Sequence, residues 1–209
     1  MSARIVVCDH PLIQEKLAGL RDKHTRPEEF RTMMDDVGAL MGYEAMRAIR
    51  TRRTIVQTPL KSAAAEFIDQ PVAFVAVLRA GLGMLPGLLR LVPDASVGHI
   101  GLYRNDETLN PVRYYVRLPK DIRESFVVLC DPMLATGGSA AEAINILKTD
   151  GAREIILLTL LASKAGLKRV HEAHPNVTIY TAAVDPQLNK SGYIVPGLGD
   201  AGDRLFATS

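Results

Sequence analysis

The sequence predicts an α/β fold with a mostly parallel central sheet flanked by helices. Short apolar runs rich in β-branched residues recur along the chain, and such runs are typical of strands that are buried on both faces. The segments between them carry apolar residues at helical spacing. The chain has 209 residues, of which 47% are hydrophobic, so it can bury a sizeable core. We therefore expect a single domain over residues 1–209.

Two helices are predicted in the first quarter of the chain. Residues 11–21 form a short one with Pro11 at its first position, and residues 27–50 form a long one that begins with Pro27. The long helix has an apolar stripe with three methionines, which predicts core packing or a subunit contact, and hence a homodimer or higher homo-oligomer. The basic cluster Arg50–Arg53 is interpreted as a solvated helix end. The alternative is a contact to an anionic effector or nucleic acid, which the lack of interleaved aromatic residues disfavours.

The next predicted strand, Val72 to Leu78, runs directly into Arg79 and the small residues Ala80 and Gly81. A polar residue at the carboxyl end of a parallel strand indicates the edge of the sheet where ligands bind. The glycines in this turn suggest a dinucleotide fingerprint, but Pro86 stands where its third glycine should be. We therefore reject a dinucleotide-binding fold.

A β-hairpin arm is predicted over residues 98–117. Strands at 97–103 and 112–116 flank a polar loop that begins with Arg104 and Asn105. Its charged tip indicates a mobile lid over a ligand, and the alternative is an ordinary solvated hairpin.

The segment Phe126 to Leu147 carries the strongest functional signal. A buried strand ends at Cys130, a turn-rich segment follows from Asp131 to Ser139, and a helix begins after it. This order places backbone N–H groups and the positive end of the helix dipole around one point, as phosphate sites require. No GxxxxGK[ST] pattern is present, so the loop is not a Walker P-loop. The alternative interpretation is a purely structural corner.

The remaining elements are a strand at 154–161, a helix at 164–173 and a strand at 177–182. His171 and His174 are interpreted as a surface helix end, because the third ligand that a metal site needs is not near them in sequence. Residues 183–209 are predicted to form a hood over the sheet edge, since apolar anchors within them argue against disorder. The GxGxxG string in this tail is rejected as a fingerprint because no βαβ unit can follow it.

Three motifs together resemble those of the uracil phosphoribosyltransferase family. They are L-R-A-G-L-G-M from Leu78, D-P-M-L-A-T-G-G-S from Asp131 and Y-I-V-P-G-L-G-D-A-G-D-R from Tyr193, and the resemblance runs from about His10 to Phe206. It implies the type I phosphoribosyltransferase fold with a hood and a β-hairpin arm. Three departures stand out: Pro132 replaces a second acid of most type I members, Asn105 stands where Asp is more frequent, and S-K-A replaces A-P-E at residues 163–165.

The resemblance implies conversion of uracil and 5-phospho-α-D-ribose 1-diphosphate (PRPP) to UMP and diphosphate, with Mg²⁺ held mainly through PRPP and water near Asp200. It also implies a cis peptide at Arg79–Ala80 and, as in some relatives, GTP as an effector. The implied catalytic residues are Arg79, Asp131 and Asp200. The implied PRPP-binding residues are Arg79, Arg104, Asp131, Pro132, Met133, Leu134, Ala135, Thr136, Gly137, Gly138, Ser139 and Asp200. The implied uracil-binding residues are Tyr193, Ile194, Gly199, Asp200 and Ala201.

Two other functions remain open on the sequence. A regulator of this fold that binds UMP and controls RNA would need a broad basic face, whereas the net charge is only +2. Purine salvage on the same fold is disfavoured by the Y-I-V-P-G-L-G-D segment. The chain has no apolar run of bilayer length, and its two cysteines offer no disulfide framework. A cytoplasmic enzyme without membrane or nucleic-acid partners is therefore expected.

Overall fold

The computed structural model describes residues 4–104 and 111–208, with only the backbone of Arg104. Its central sheet confirms the predicted α/β class. In spatial order the strands are β1 (Ile5–Val7), β10 (Thr178–Asp185), β9 (Glu154–Ser163), β7 (Phe126–Cys130), β4 (Val72–Leu78), β5 (Ser96–Arg104) and β6 (Pro111–Arg117). The neighbours pair in parallel except β6, which returns antiparallel to β5. A short strand, β8 (Met133–Leu134), adds to β9.

Helices cover both faces of this sheet. They are α1 (Pro11–Arg21), α2 (Pro27–Ala45), α3 (Leu85–Leu91), α4 (Gly138–Thr149), α5 (Lys164–Ala173) and α6 (Ala201–Phe206). Alternate residues of the central strands point to opposite faces, as the two-residue period of a strand requires. In β4, Phe74 packs with α1, α2 and α3, whereas Val75 packs with α4. The continuous apolar runs thus serve two cores, one on each face.

Helix α2 is shorter than the sequence predicts. It ends at Ala45, a single 3₁₀ turn follows over Met46–Ala48, and a strand, β2 (Thr51–Gln57), begins where the helix was expected to finish. Its antiparallel partner is β3 (Ser62–Ile68). The prediction missed this hairpin because three consecutive alanines in β3 favour a helix, and ladder pairing with the β-branched β2 overrides that preference.

The basic cluster therefore lies at the start of a strand and not at a helix end. Its arginines have acidic partners: Arg50 lies 3.6 Å from Glu154, Arg52 lies 3.3 Å from Asp69, and Arg53 lies 3.2 Å from Glu66. Ion pairs at these positions leave little free positive charge for a nucleic acid.

His174 is also placed differently from the prediction. It is buried rather than at the surface, and its Nε2 lies 3.0 Å from the carbonyl oxygen of Ala141 in α4. Its Nδ1 lies 3.1 Å from Nζ of Lys148. The end of α5 folds back onto α4, so the imidazole joins two helices on one face of the sheet.

A cis peptide precedes the central turn, but at Leu78–Arg79 and not at the predicted Arg79–Ala80. The strand ends at Leu78, and Arg79 already has helical backbone angles (φ −90°, ψ −35°), so the chain changes direction before Arg79. A 3₁₀ turn over Ala80–Met84 then leads into α3.

Residues after β10 form small elements against the sheet edge. Strands β11 (Gln187–Leu188) and β12 (Ile194–Val195) pair antiparallel, and α6 follows them. We call residues 185–208 the hood. In the part of the chain that is described, no helix is both long enough and apolar enough to cross a membrane.

Candidate active site

The candidate site lies at the carboxyl ends of β4 and β7, which are neighbours in the sheet. From β4 the chain continues to β5 on one side, and from β7 it continues to β9 on the other. Such a point of divergence leaves a crevice above the sheet, where open α/β sheets bind ligands. Arg79 follows β4 and Asp131 follows β7, so the topology brings both charges to this crevice.

A cavity of about 350 Å³ occupies the crevice, and we call it the loop cavity. Most of the residues that the sequence predicted to bind PRPP line it. Its walls are formed by Val77, Leu78, Arg79, Ala80, Leu102, Asp131, Met133, Leu134, Ala135, Thr136, Gly137, Gly138, Ser139, Ala140, Gly192, Asp200 and Gly202.

Gly137 shapes the loop that faces this cavity. It is the N-cap of α4 with φ of +77°, a conformation that glycine adopts without steric cost. A Cβ there would lie 2.8 Å from the carbonyl oxygen of Gly166 at the start of α5. The turn aims the N-terminus of the 12-residue helix α4 into the cavity, and unpaired N–H groups with a positive dipole end favour an anion there.

Asp131 is the titratable group at the cavity wall. Burial by surrounding protein raises the pKa of its carboxyl group to about 7, while a hydrogen bond from the backbone N–H of Met133 acts in the opposite direction. A carboxylate in such a place is stabilised when positive charge arrives or develops in front of it. The arrangement therefore suits a reaction that passes through a cationic centre.

A second cavity of about 430 Å³, the hood cavity, adjoins the first. All five residues that the sequence predicted to bind uracil line it. Its walls are formed by Ala80, Met133, Ala135, Ser191, Gly192, Tyr193, Ile194, Gly199, Asp200, Ala201 and Gly202. Asp200 lines both cavities, so ligands in the two would meet beside its carboxylate.

The hood is fixed by a partly buried ion pair that the sequence reasoning missed. Arg21 donates from Nη2 to Oδ1 of Asp185 at 2.7 Å and from Nη1 to Oδ2 at 2.8 Å. The same Oδ2 accepts the N–H of Gly197, and the carbonyl oxygen of Gly197 accepts from Arg21 at 2.9 Å. The Arg21 hydrogen bonds hold the pKa of Asp185 below its ordinary value. An acid at the end of the last strand was the only sequence signal for this contact.

Arg204 provides a second anchor that sequence reasoning also missed. Its guanidinium donates to the carbonyl oxygens of Leu20, Asp22 and Leu198, and it stacks 4.5 Å from the ring centroid of Phe30. Helix α6 is thereby tied to the end of α1 and the start of α2. The side chain of Asp200 caps α6, accepting the N–H of Asp203 at 2.9 Å.

Two predicted PRPP contacts are not seen in the cavity walls. Pro132 is buried behind the loop, where its carbonyl oxygen accepts the N–H groups of Leu160 and Leu161 at 3.1 and 3.0 Å. It therefore ties the loop to β9, and Pro132 is not among the residues that line either cavity. The side chain of Arg104, and the lid residues Asn105 to Leu109, lie outside the described residues, so those hypotheses stay predictions.

The acidic side chains of the site bear on whether it could hold a divalent metal. Among the described residues, no three His, Cys, Asp or Glu side chains come together as a metal cage. Asp131 and Asp200 nevertheless line one cavity, and their oxygens are the ligand type that Mg²⁺ prefers. The site thus fits a Mg²⁺ ion that takes most of its ligands from substrate and water.

Comparison with known proteins agrees with the motifs. A sequence profile of uracil phosphoribosyltransferases matches residues 6–208. The uracil phosphoribosyltransferase of Halalkalibacterium halodurans is 54% identical over 207 residues, which cover 99% of either chain. That of Thermus thermophilus is 53% identical over 206 residues, covering 98% of this chain and 99% of the relative.

Solved structures show the same fold. A protein from Aquifex aeolicus superimposes with a TM-score of 0.92 at 39% identity, covering 98% of this chain and 99% of that one. A hypoxanthine-guanine phosphoribosyltransferase from Bacillus anthracis reaches a TM-score of 0.50 at 11% identity, covering 90% of this chain and 85% of that one, which is a likeness of fold alone. The profile match and the full-length relatives establish that the chain belongs to the uracil phosphoribosyltransferase family.

Proposed function

We propose that this protein transfers the 5-phosphoribosyl group of PRPP to uracil, giving UMP and diphosphate, as a step of pyrimidine salvage. The observation that carries the proposal is the pair of adjoining cavities that share Asp200. One has an anion-binding helix N-terminus and two acidic residues, and the other is formed by the hood. Their junction is where the anomeric carbon of the sugar and the attacking nitrogen of the base would meet.

The loop cavity suits the sugar and its phosphates. The residues from Ala135 to Ser139 would bind the 5′-phosphate through backbone N–H groups and the hydroxyls of Thr136 and Ser139. Because this contact is remote from the reacting bond, its binding energy can position the sugar for attack. Arg79, at the opposite wall, would neutralise charge on the departing diphosphate.

Asp131 would act on the sugar itself. Attack by N1 of uracil forms the N-glycosidic bond while the bond from the anomeric carbon to diphosphate breaks, through an oxocarbenium-like state. A carboxylate facing that state stabilises its positive charge, and it can also accept hydrogen bonds from ribose hydroxyls. The proton of N1 must leave as well, and we assign no residue as its general base.

Mg²⁺ is proposed as the cofactor, held mainly by diphosphate oxygens and water, with Asp200 and Asp131 orienting those waters. When bound, it would reduce the negative charge of the leaving diphosphate.

The hood would select the base. The backbone of Ile194 and of residues 199–201 lines its cavity, and amide groups of a backbone can pair with the amide edges of uracil. Cytosine presents a different donor pattern and would leave buried groups unpaired, which costs binding energy.

We further infer self-association through the β2–β3 hairpin. Ile55 and Leu60 on it are 72% and 95% exposed, and Phe67 and Ile68 are about half exposed. The methionine stripe of α2, by contrast, is largely buried within the subunit. Sedimentation velocity should give a dimer or larger species that Leu60→Asp shifts toward monomer.

Both cysteines are free and buried, which supports the expected cytoplasmic location.

The decisive experiment is UMP formation by the purified protein with PRPP and Mg²⁺. Uracil, cytosine, hypoxanthine and guanine are offered in parallel, each with and without GTP, the effector that the family resemblance suggests. Product from uracil alone supports the proposal. Product from a purine base, or none from any base in either condition, would contradict it.

A further inference from the structure

We propose that Asp203, with Thr208, is a positioning residue that holds the guanidinium of Arg79 toward the loop cavity. The inference rests on the proposed function, in which Arg79 binds the diphosphate. Asp203 itself lines neither described cavity, so it would act through Arg79 and not on a substrate.

The contacts on Arg79 come from α6 and from the residues just after it. Its Nη2 donates to Oδ1 of Asp203 at 3.0 Å, and its Nη1 lies 3.4 Å from Oγ1 of Thr208. Thr208 in turn donates to the same Oδ1 of Asp203 at 2.7 Å. The ring of Phe206 lies below the guanidinium, with its centroid 5.8 Å away. The last residues of the chain thus contact Arg79 on several sides.

This arrangement is more than one exposed ion pair. A flexible arginine on a surface loses conformational entropy when it is held in one place, which offsets most of a single contact. Here the Thr208 hydroxyl fixes the carboxylate of Asp203, and that carboxylate orients the guanidinium of Arg79. The carboxylate is therefore already ordered when Arg79 binds it. A guanidinium has five donors, and among the described residues only Asp203 and Thr208 accept from Arg79, which leaves further N–H groups for an anion.

Helix α6 also connects the two cavities. Its N-cap is Asp200, which lines both cavities, and it carries Asp203 in its first turn. It is held to the body of the protein by other arginines and not by Arg79: Arg204 donates to the carbonyl oxygen of Asp22, and Arg31 donates to that of Leu205. A change at Asp203 can therefore release Arg79 while the hood keeps its place.

Steady-state kinetics of Asp203→Asn and Thr208→Val test this role. We expect the KM for PRPP to rise about fivefold in Asp203→Asn, the scale of a surface charge pair, and less in Thr208→Val. The KM for uracil and the melting temperature should stay close to those of the unchanged protein. A matched control is Glu44→Gln, which removes a similar exposed carboxylate of α2 from Arg47, 2.8 Å away in the 3₁₀ turn that follows, and should leave both KM values unchanged.

A double-mutant cycle with Arg79→Met separates positioning from a general effect on α6. If Asp203 acts through Arg79, adding Asp203→Asn to Arg79→Met should cost nothing further in kcat/KM for PRPP, because coupled residues are not additive. Additive losses would overturn the inference. So would equal rises in both KM values with a lower melting temperature, which is the signature of a loosened hood. Failure of the unchanged protein to form UMP would instead contradict the proposed function.

Discussion

The loop at residues 131–139 and the hood at residues 185–208 both line the same pair of cavities, but they are held in different ways. The loop is continuous with a buried strand and a packed helix, and the backbone hydrogen bonds of Pro132 and β8 fix it to the sheet. The hood has two two-residue strands and one short helix, and it is placed by the side chains of Arg21, Asp185 and Arg204.

These two kinds of support predict how the loop and the hood each respond to substitution. In a loop fixed by backbone geometry, the amides that we propose to bind phosphate persist after most side-chain substitutions, as long as the turn can form. A hood fixed by ion pairs can lose its position when one charge is lost, although its own residues are intact. Substitutions in the loop should therefore affect PRPP, whereas substitutions at the hood anchors should affect uracil.

The largest effect is expected for Asp131→Asn. Under the proposed mechanism, removing the carboxylate of Asp131 from the developing cation should lower kcat about 10²- to 10³-fold, the usual loss for one preorganised electrostatic group. Because burial raises the pKa of Asp131 to about 7, its active carboxylate form is lost as pH falls below about 7, and kcat/KM for PRPP should fall with it.

The pH profile of Asp131→Asn serves as the control, since it keeps the titration of PRPP and loses that of Asp131. Wild-type turnover in this variant, or in Asp200→Asn, at saturating substrates would refute the assignment of the two acids.

Gly137→Ala should damage the loop selectively. The added Cβ meets the carbonyl oxygen of Gly166 at 2.8 Å, and φ of +77° disfavours alanine, so we expect a loss of about 1–3 kcal/mol in stability. The KM for PRPP should rise at least tenfold while that for uracil changes little. Gly151→Ala is the matched control, because Gly151 also has a positive φ, of 97°, but lies outside the site. Equal rises in the KM values for PRPP and uracil would argue against separate roles for the loop and the hood.

Asp185→Asn should damage the hood and not the loop, so uracil binding should weaken more than PRPP binding. It removes the charge that pairs with Arg21 and weakens the contact to Gly197, and a largely buried pair of this kind costs about 2–3 kcal/mol when broken. The KM for uracil should rise about fivefold, more than that for PRPP. Chemical denaturation and paired kinetics measure both. Glu172→Gln, which breaks an exposed pair with Lys168, should change stability by less than about 0.5 kcal/mol. A rise in KM that is confined to PRPP would contradict this prediction.

The smallest effect concerns the helices behind the loop. Burial and nearby Lys148 hold the pKa of His174 below its ordinary value of 6.5, so its neutral form stabilises the fold above pH 6.5 and that stabilisation is lost as pH falls through the lowered pKa. His174→Gln should reduce this acid-side loss in the free energy of unfolding, measured by denaturation at several pH values. If the free energy of unfolding of the variant depends on pH as steeply as that of the unchanged protein, His174 does not change its protonation on folding.

Much of the fold follows from local pattern. The strand Phe126–Cys130 and the helices Pro11–Arg21 and Lys164–Ala173 have the bounds that the sequence predicts. The runs are long, strongly apolar or clearly capped, so local preference and tertiary packing agree there. They disagree at residues 46–68, where the helix stops early and an alanine-rich segment pairs as a strand.

The sequence by itself determined the α/β class, the strand–turn–helix layout around Asp131–Ser139 and the family, because a strand, a glycine turn and a helix N-terminus are local features that short motifs specify. Only the tertiary structure decided that Arg21 binds Asp185, that Arg204 ties α6 to α1, and that Asp203 contacts Arg79. The contacting residues are 124 apart in sequence for Arg79 and Asp203, 164 apart for Arg21 and Asp185, and 182 apart for Arg204 and Asp22. No local pattern encodes which charge meets which across that separation, since the crossing of helices and strands brings them together.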